Sequence, residues 1–269
     1  MPEYRQDPLT GRIVIVAEER ASRPHQFDIE HSGGNPEINQ TNCPFCEGNE
    51  SLTPDEITAF RSGESLPDTP GWLVRVIPNK FPAVVRGVAD FPAWFDNYEP
   101  TFYHPENPLF RKPVSGFGHH EVIVDTPRHI LSLSEMTNAE VFDLFRMYQE
   151  RLRSLREENR WKSIQIFKNV GAAAGASLPH SHSQLIAMPF IPQSVLSVWR
   201  RAEAISRPGK TKRRVFSDCV WCRRLESELR ERQRIVEETP HFVVLCPFVS
   251  RFSGEVEIYP KQHEPNFEE

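Results

Sequence analysis

The stretch Asn169-Val-Gly-Ala-Ala-Ala-Gly-Ala-Ser-Leu-Pro-His180-Ser-His182-Ser-Gln184 decides how this chain is read. A loop of small residues runs into alternating polar residues and then into the apolar run Leu185-Ile-Ala-Met188. Side chains of a strand alternate between its two faces. The alternation predicts His180, His182 and Gln184 on one face, with Ser181, Ser183 and Leu185 on the other. Gly171 and Gly175 permit backbone conformations that other residues avoid. The N–H groups of such a loop can form a nest for an anion, and Ser177 adds a hydroxyl donor. Two imidazoles and an amide beside this loop point to a site that handles phosphoryl groups.

Working outward, Ser163 to Phe167 reads as the strand before the loop. The segment Thr137-Asn-Ala-Glu140 matches a capping box. Val141, Leu144, Phe145, Tyr148, Leu152 and Leu155 then recur at helical spacing, which predicts an amphipathic helix. Arg12 to Val16, Trp72 to Ile77 and His120 to Asp125 read as strands. Residues 28 to 42 read as a polar loop, and residues 88 to 115 as an irregular excursion rich in Pro and aromatics. Arg207 to Arg214 is a basic stretch that reads as a solvated linker.

A faint internal repeat crosses the chain. The first half holds Cys43-Pro-Phe-Cys46 and later Glu121-Val-Ile-Val-Asp-Thr-Pro-Arg-His129. The second half holds Cys219-Val-Trp-Cys222 and later Glu255-Val-Glu-Ile-Tyr-Pro-Lys-Gln-His263. Each half has a Cys pair, a strand that opens on Glu-Val, and a His eight residues after that Glu. Duplication of an α+β unit is the natural inference, with units at 1–192 and 193–269. The first half continues into a helix and two strands, whereas the second stops six residues after His263. The second unit is therefore expected to be incomplete, through truncation or reduction.

Zinc takes four N or S ligands in a tetrahedron. Cys43 and Cys46 supply two thiolates from one tight turn, and His129 and His180 are their candidate partners. Cys219, Cys222 and His263 supply three ligands of a possible second site, whose fourth ligand is not evident. Cys246, alone in an apolar run, reads as a core residue. A neutral imidazole can attack phosphorus and form a covalent intermediate. With His180 held by a metal, His182 is the candidate nucleophile, and a backbone carbonyl on one ring nitrogen would fix the lone pair on the other. Gln184 can donate to a phosphoryl oxygen without becoming charged. Arg12, Arg20 and Arg23 either grip phosphate or lie solvated, and Asn79 sits at a strand end, where binding residues gather.

Composition sets the outer bounds. The 269 residues suffice for one or two domains with full cores. A net charge of -5 argues against a general nucleic-acid binder, while local Arg and Lys still admit small anions. No uninterrupted apolar stretch approaches the ~20 residues of a membrane helix. The first residues lack a secretory pattern, and four of five cysteines fall in Cys-x-x-Cys pairs, so a cytoplasmic protein is expected.

Five places together resemble the galactose-1-phosphate uridylyltransferase family, a branch of the histidine-triad superfamily. They are Asp7 to Arg12 with Arg20-Ala-Ser-Arg23-Pro24, Cys43-Pro-Phe-Cys46, Asn79-Lys-Phe-Pro82, Glu121 to His129, and Asn169 to Gln184. The last is also similar to the ADP-glucose:phosphate adenylyltransferase branch, which shares the second Cys pair. The resemblance implies a duplicated histidine-triad-like unit of α+β class, with antiparallel sheets, packed helices and assembly as a homodimer. By resemblance His182 is the residue that becomes nucleotidylated, and Gln184 holds the bound phosphate. Cys43, Cys46, His129 and His180 match structural zinc ligands, and Arg20, Arg23, Asn79, Asn169 and Ser177 match positions that contact nucleotide or phosphates. The implied partners are a nucleotide-sugar and a sugar 1-phosphate or inorganic phosphate, with no nucleic-acid polymer and no membrane. UDP-glucose:hexose-1-phosphate uridylyl transfer is the leading expectation. ADP-glucose:phosphate adenylyl transfer, a zinc-stabilised nucleotide- or RNA-binding module, and a histidine-triad hydrolase are the alternatives.

Overall fold

The computed structural model describes residues 1–7, 12–22, 42–86, 113–206 and 219–269. The expected loop at 28–42, apart from residue 42, lies outside these residues, as do Arg23, residues 88–112 of the expected excursion and the basic linker at 207–214. The chain divides into two compact units, Met1–Gln193 with Glu268 and Ser194–Phe267 with Glu269.

In the first unit, β1 (Glu3–Gln6) pairs with β2 (Ile13–Val16). β3 (Thr58–Arg61) and β4 (Trp72–Pro78) form a hairpin. β5 (Val114–Ser115) pairs with β1, so the end of the expected irregular stretch is a short strand. β6 (His119–Val124) is followed by α1 (Asn138–Glu157), β7 (Ser163–Phe167) and β8 (His182–Met188). The main sheet has the order β3-β4-β6-β8-β7, with every neighbouring pair antiparallel. The second unit contains α2 (Gln193–Ser206) from its second residue on, α3 (Val220–Glu231), β9 (Ile235–Glu238), β10 (Phe242–Leu245) and β11 (Glu257–Pro260). Its sheet runs β11-β10-β9, again antiparallel. The mixed α+β class with antiparallel sheets is as expected.

Period-two alternation gives the main sheet two distinct faces. Val74, Val76, Ile123, Leu185 and Ala187 point to one side and bury Leu144, Met147, Tyr148 and Leu155 of α1. On the other side Ile77, Val122 and Val124 pack with Cys43, Phe45 and Cys46, joined by Trp72, which an irregularity in the β3–β4 register turns to that face. α1 starts at the predicted capping box: Glu140 N–H donates to Thr137 Oγ1, and Thr137 N–H donates to Glu140 Oε2 at 2.8 Å. Asn159, at φ 53°, turns the chain out of the helix. The buried stripe of α1 differs from the sequence reading. Met147 and Arg151 are in it, while Phe145 is 43% exposed and tilts against Tyr148. Arg151 qualifies because its guanidinium meets Glu121, fully buried on β6, at 2.6 and 2.9 Å. Periodicity alone assigns Arg to the solvent side.

Two further expectations change in the second unit. The strand expected from Glu255 begins at Glu257, because Glu255 turns back to bond Arg251. Cys246 lies one residue past β10 and is half-buried; its backbone N–H donates to the Arg234 carbonyl.

Candidate active site

The glycine loop joins β7 to β8, two neighbouring antiparallel strands, and so delivers the histidines to one end of the main sheet. Gly171 (φ 79°) and Gly175 (φ 80°) flank a short 3-10 turn, Ala172–Ala174. A Cβ at either glycine would meet open space, so backbone conformation is what calls for Gly there. The N–H groups of Ala174, Gly175 and Ala176 donate to carbonyls within this turn. These three amides are therefore engaged within the loop, while Ala176, Ser177 and Leu178 follow it into the cavity wall.

His180 stands before β8 rather than within it, and its ring nitrogens meet Thr126 and the two thiols. Its Nε2–H donates to the Thr126 carbonyl at 2.8 Å, which leaves the Nδ1 lone pair facing the Sγ of Cys43 and Cys46, 3.6 Å from each. His129 Nδ1 lies 3.0 Å from Cys46 Sγ. All four donor atoms lie within 4.8 Å of one another. Tetrahedral zinc, with bonds of about 2.3 Å to S and 2.0–2.1 Å to N, sets S and N about 3.5 Å apart. The two His180 distances of 3.6 Å match that spacing, and His129 at 3.0 Å lies slightly inside it. Burial pushes the Cys46 thiol up to about 12 and the His180 imidazole down to about 4, so the ring is held in the neutral form a metal needs, and a divalent cation would have to draw the proton off the thiol.

His182 opens β8 and is 8% exposed. Its Nδ1–H donates to the His180 carbonyl at 2.8 Å, so Nε2 carries the lone pair. The ring lies 5.1 Å from the Phe45 ring, centroid to centroid. His182 and Gln184, two residues apart and on one face, line a cavity of about 280 Å³ with Phe45, Ile77, Asn79, Val122, Gly175 and Ser177. Leu52, Thr53 and Pro54 form a further wall. They are held to β4 by Trp72, whose Nε1–H donates to Glu50, and by Arg75, whose Nη1 donates to Thr53 Oγ1, each at 2.8 Å.

Behind the strand lies a polar core that the sequence reading missed. Asp125, fully buried, accepts from Ser181 Oγ at 2.8 Å, Ser183 Oγ at 2.9 Å and the Lys168 ammonium. Lys168 also donates to the His182 carbonyl at 3.1 Å. The two serines thus face away from the cavity, as alternation predicts, and tie both histidines' backbone to β6. The other predicted residues divide. Asn79, Gly175 and Ser177 line the cavity, whereas Asn169 and Gly171 are not among its lining residues. Arg20 donates to the Phe81 carbonyl at 2.5 Å, at the rim. His120, unnoticed in sequence, lies 3.1 Å from Gln184 Oε1 through its Nε2.

In the second unit Cys219, Cys222 and His263 converge, with Cys222 Sγ 3.1 Å from His263 Nδ1. Among the described residues no fourth His, Cys, Asp or Glu joins them. Cys219 caps the N-terminus of α3, unlike the first Cys pair, which sits in turns.

Residues 1–192 match the family described as galactose-1-phosphate uridyl transferase, N-terminal domain. ADP-glucose phosphorylase of Arabidopsis thaliana is 35% identical over 268 residues, which is 99% of this chain and 68% of that protein. Galactose-1-phosphate uridylyltransferase of Thermotoga maritima is 34% identical over 98% of this chain and 68% of its own length. A crystal structure of the Arabidopsis ADP-glucose phosphorylase with bound ADP-glucose superposes with a TM-score of 0.63 at 30% identity, covering 100% of this chain and 71% of that one. A uridylyltransferase structure at 23% identity and TM-score 0.68, covering 99% of this chain and 68% of that one, shares the fold. The cavity with His182 and Gln184 thus lies within the matched 192 residues, and the chain belongs to the galactose-1-phosphate uridyl transferase family.

Proposed function

We propose that this protein moves a nucleoside monophosphate from a nucleotide-sugar to a sugar 1-phosphate through a covalent nucleotidyl-histidine, with UDP-glucose:hexose-1-phosphate uridylyl transfer as the leading reaction, a step of galactose metabolism. The observation that carries the reading is the ring of His182. Its Nδ1–H is committed to the His180 carbonyl at 2.8 Å, and the ring borders the cavity beside Gln184.

The Nε2 lone pair of His182 forms an N–P bond to the α-phosphorus while the bridging P–O bond breaks. The bonding electrons leave with the sugar 1-phosphate, a phosphate monoester whose second pKa of about 6 demands little protonation. The ring then bears a positive charge, and Nδ1–H donates more strongly to the His180 carbonyl. An oxygen of the second sugar phosphate next attacks phosphorus, the N–P bond breaks, and the neutral imidazole returns. Gln184 donates to a phosphoryl oxygen throughout and supplies no proton, which favours transfer over hydrolysis. Asn79, Ser177 and Gly175 line the substrate's path, and Arg20 supports its rim. Asn169 and Arg23 remain substrate contacts by resemblance alone, and Gly171 by the conformational freedom of its loop.

Cys43, Cys46, His129 and His180 would hold zinc, which supplies structure rather than chemistry by fixing His180 and its carbonyl. Cys219, Cys222 and His263 would hold a second ion. The units at 1–192 and 193–269 are read as duplicated histidine-triad-like units. Five cysteines without a disulfide support the cytoplasm as the compartment, and the resemblance supports a homodimer. No described helix is long and apolar enough to cross a membrane.

A second reading, ADP-glucose:phosphate adenylyl transfer, draws on the 35% identity with the Arabidopsis enzyme. Intact mass after mixing with UDP-glucose or ADP-glucose separates them. One uridylyl adduct supports the first reading and one adenylyl adduct the second. Absence of any adduct with both sugars would favour a non-catalytic nucleotide- or RNA-binding module.

A further inference from the structure

The cavity face of β6 carries His120, 4% exposed. Val122 lies opposite Gln184 in the antiparallel register, so His120 is the diagonal neighbour of Gln184. Both ring nitrogens meet polar atoms. The Ala83 N–H donates to Nδ1 at 2.9 Å. A backbone amide is a donor only, so Nδ1 holds a lone pair and a neutral ring carries its proton on Nε2. Nε2 lies 3.1 Å from Gln184 Oε1 and 3.0 Å from Asn79 Nδ2. The Asn79 contact would suit the opposite tautomer, in which Nε2 accepts. That tautomer would set Nδ1–H against the Ala83 N–H. Asn79 is itself oriented by the Phe81 N–H, which donates to its Oδ1 at 2.8 Å, so only the Gln184 carboxamide is left to rotate; the Ala83 amide cannot turn over, and the tautomer it selects sets Nε2–H toward Gln184 Oε1.

We infer that His120 is a positioning residue that holds Gln184 by its carbonyl oxygen and so leaves the Gln184 NH2 facing the phosphoryl group. The inference rests on the role proposed for Gln184. A carboxamide in isolation can present either its oxygen or its nitrogen, and an oxygen would repel a phosphate. The Nε2–H of His120 removes that choice. The same bond joins the Asn79-Lys-Phe-Pro-Ala83 segment, which borders the cavity, to β8.

Two measurements test this. In the unaltered protein, long-range 1H–15N correlations of the His120 ring are expected to report a protonated Nε2 and a bare Nδ1; an Nδ1–H tautomer overturns the inference. In kinetics, His120→Phe with retained metal is expected to slow nucleotidyl transfer about three- to tenfold, the worth of one neutral hydrogen bond. His120→Gln, which keeps an N–H near the Nε2 position, is expected to recover most of that rate. In a Gln184→Ala background, His120→Phe is expected to change the rate by less than about twofold. A fully additive loss in the double variant assigns His120 a general structural role and overturns the inference. Should the unaltered protein accept no nucleotidyl group from either sugar nucleotide, it is the proposed function that fails, and the ring tautomer then decides for His120 alone.

Discussion

Replacing Asp125 with Ala strikes the polar core that fastens the two histidines to the sheet. Asp125 has no exposed surface and accepts from two serines and the Lys168 ammonium. The Lys168 side chain is only 14% exposed. After the substitution its ammonium keeps Ser181 Oγ at 2.7 Å and the His182 carbonyl at 3.1 Å, but it has lost its counter-charge. Removing one partner of a buried pair costs about 3–5 kcal/mol, chiefly through the charge left behind. Asp125→Ala is therefore expected to lower the unfolding free energy by about 4 kcal/mol in urea titrations at pH 7. Asp125→Ala with Lys168→Met removes both charges and is expected to recover about half of that loss. The reasoning fails if Asp125→Ala costs less than about 1 kcal/mol, or if adding Lys168→Met makes the protein less stable still.

Two other predictions follow from ionisable groups. The Arg128 guanidinium holds the Glu140 carboxyl at about 2, helped by the backbone of Thr137 and the hydroxyls of Thr126 and Thr137. A lowered carboxyl contributes stability above its unfolded value of about 4.3 and loses it as pH falls towards 2. Glu140→Gln should thus be less stable than the parent at pH 7, by under about 1 kcal/mol since Arg128 is 47% exposed, and the difference should vanish near pH 2 in thermal melts. For the metal, elemental analysis should find at least one zinc per chain, and Cys46→Ser should abolish tight retention of that ion. Because the Cys46 thiol must lose a proton to bind, zinc affinity should fall as pH is lowered. Protein purified without chelators and holding no metal would refute the ligand set.

What was legible in the sequence is what rests on local spacing. The alternation across His182, Ser183 and Gln184 survives because side-chain direction in a strand is fixed by geometry. The capping box at Thr137 survives because its two hydrogen bonds close within four residues. The metal group was legible because ligand chemistry limits the residue types, although its members come from three separate segments. Contacts made in space were not legible. Arg151 enters the core only because Glu121 waits on β6. His120 and Lys168 carry no motif, Asp125 lies in a quoted stretch that gives it no role, and each takes its place from the register of β6 against β8 and the approach of β7. Glycine spacing suggests an anion nest but does not show that turn hydrogen bonds engage three of the loop's amides.

The most direct test of the account is to locate the covalent bond. Protein mixed with UDP-glucose or ADP-glucose, digested at alkaline pH and sequenced by mass spectrometry, should carry one nucleotidyl group on His182, attached at Nε2 by 31P–15N coupling, and His182→Gln should carry none. A group found on any other residue, or on Nδ1 of His182, would contradict the claim that the His180 carbonyl sets the reactive nitrogen.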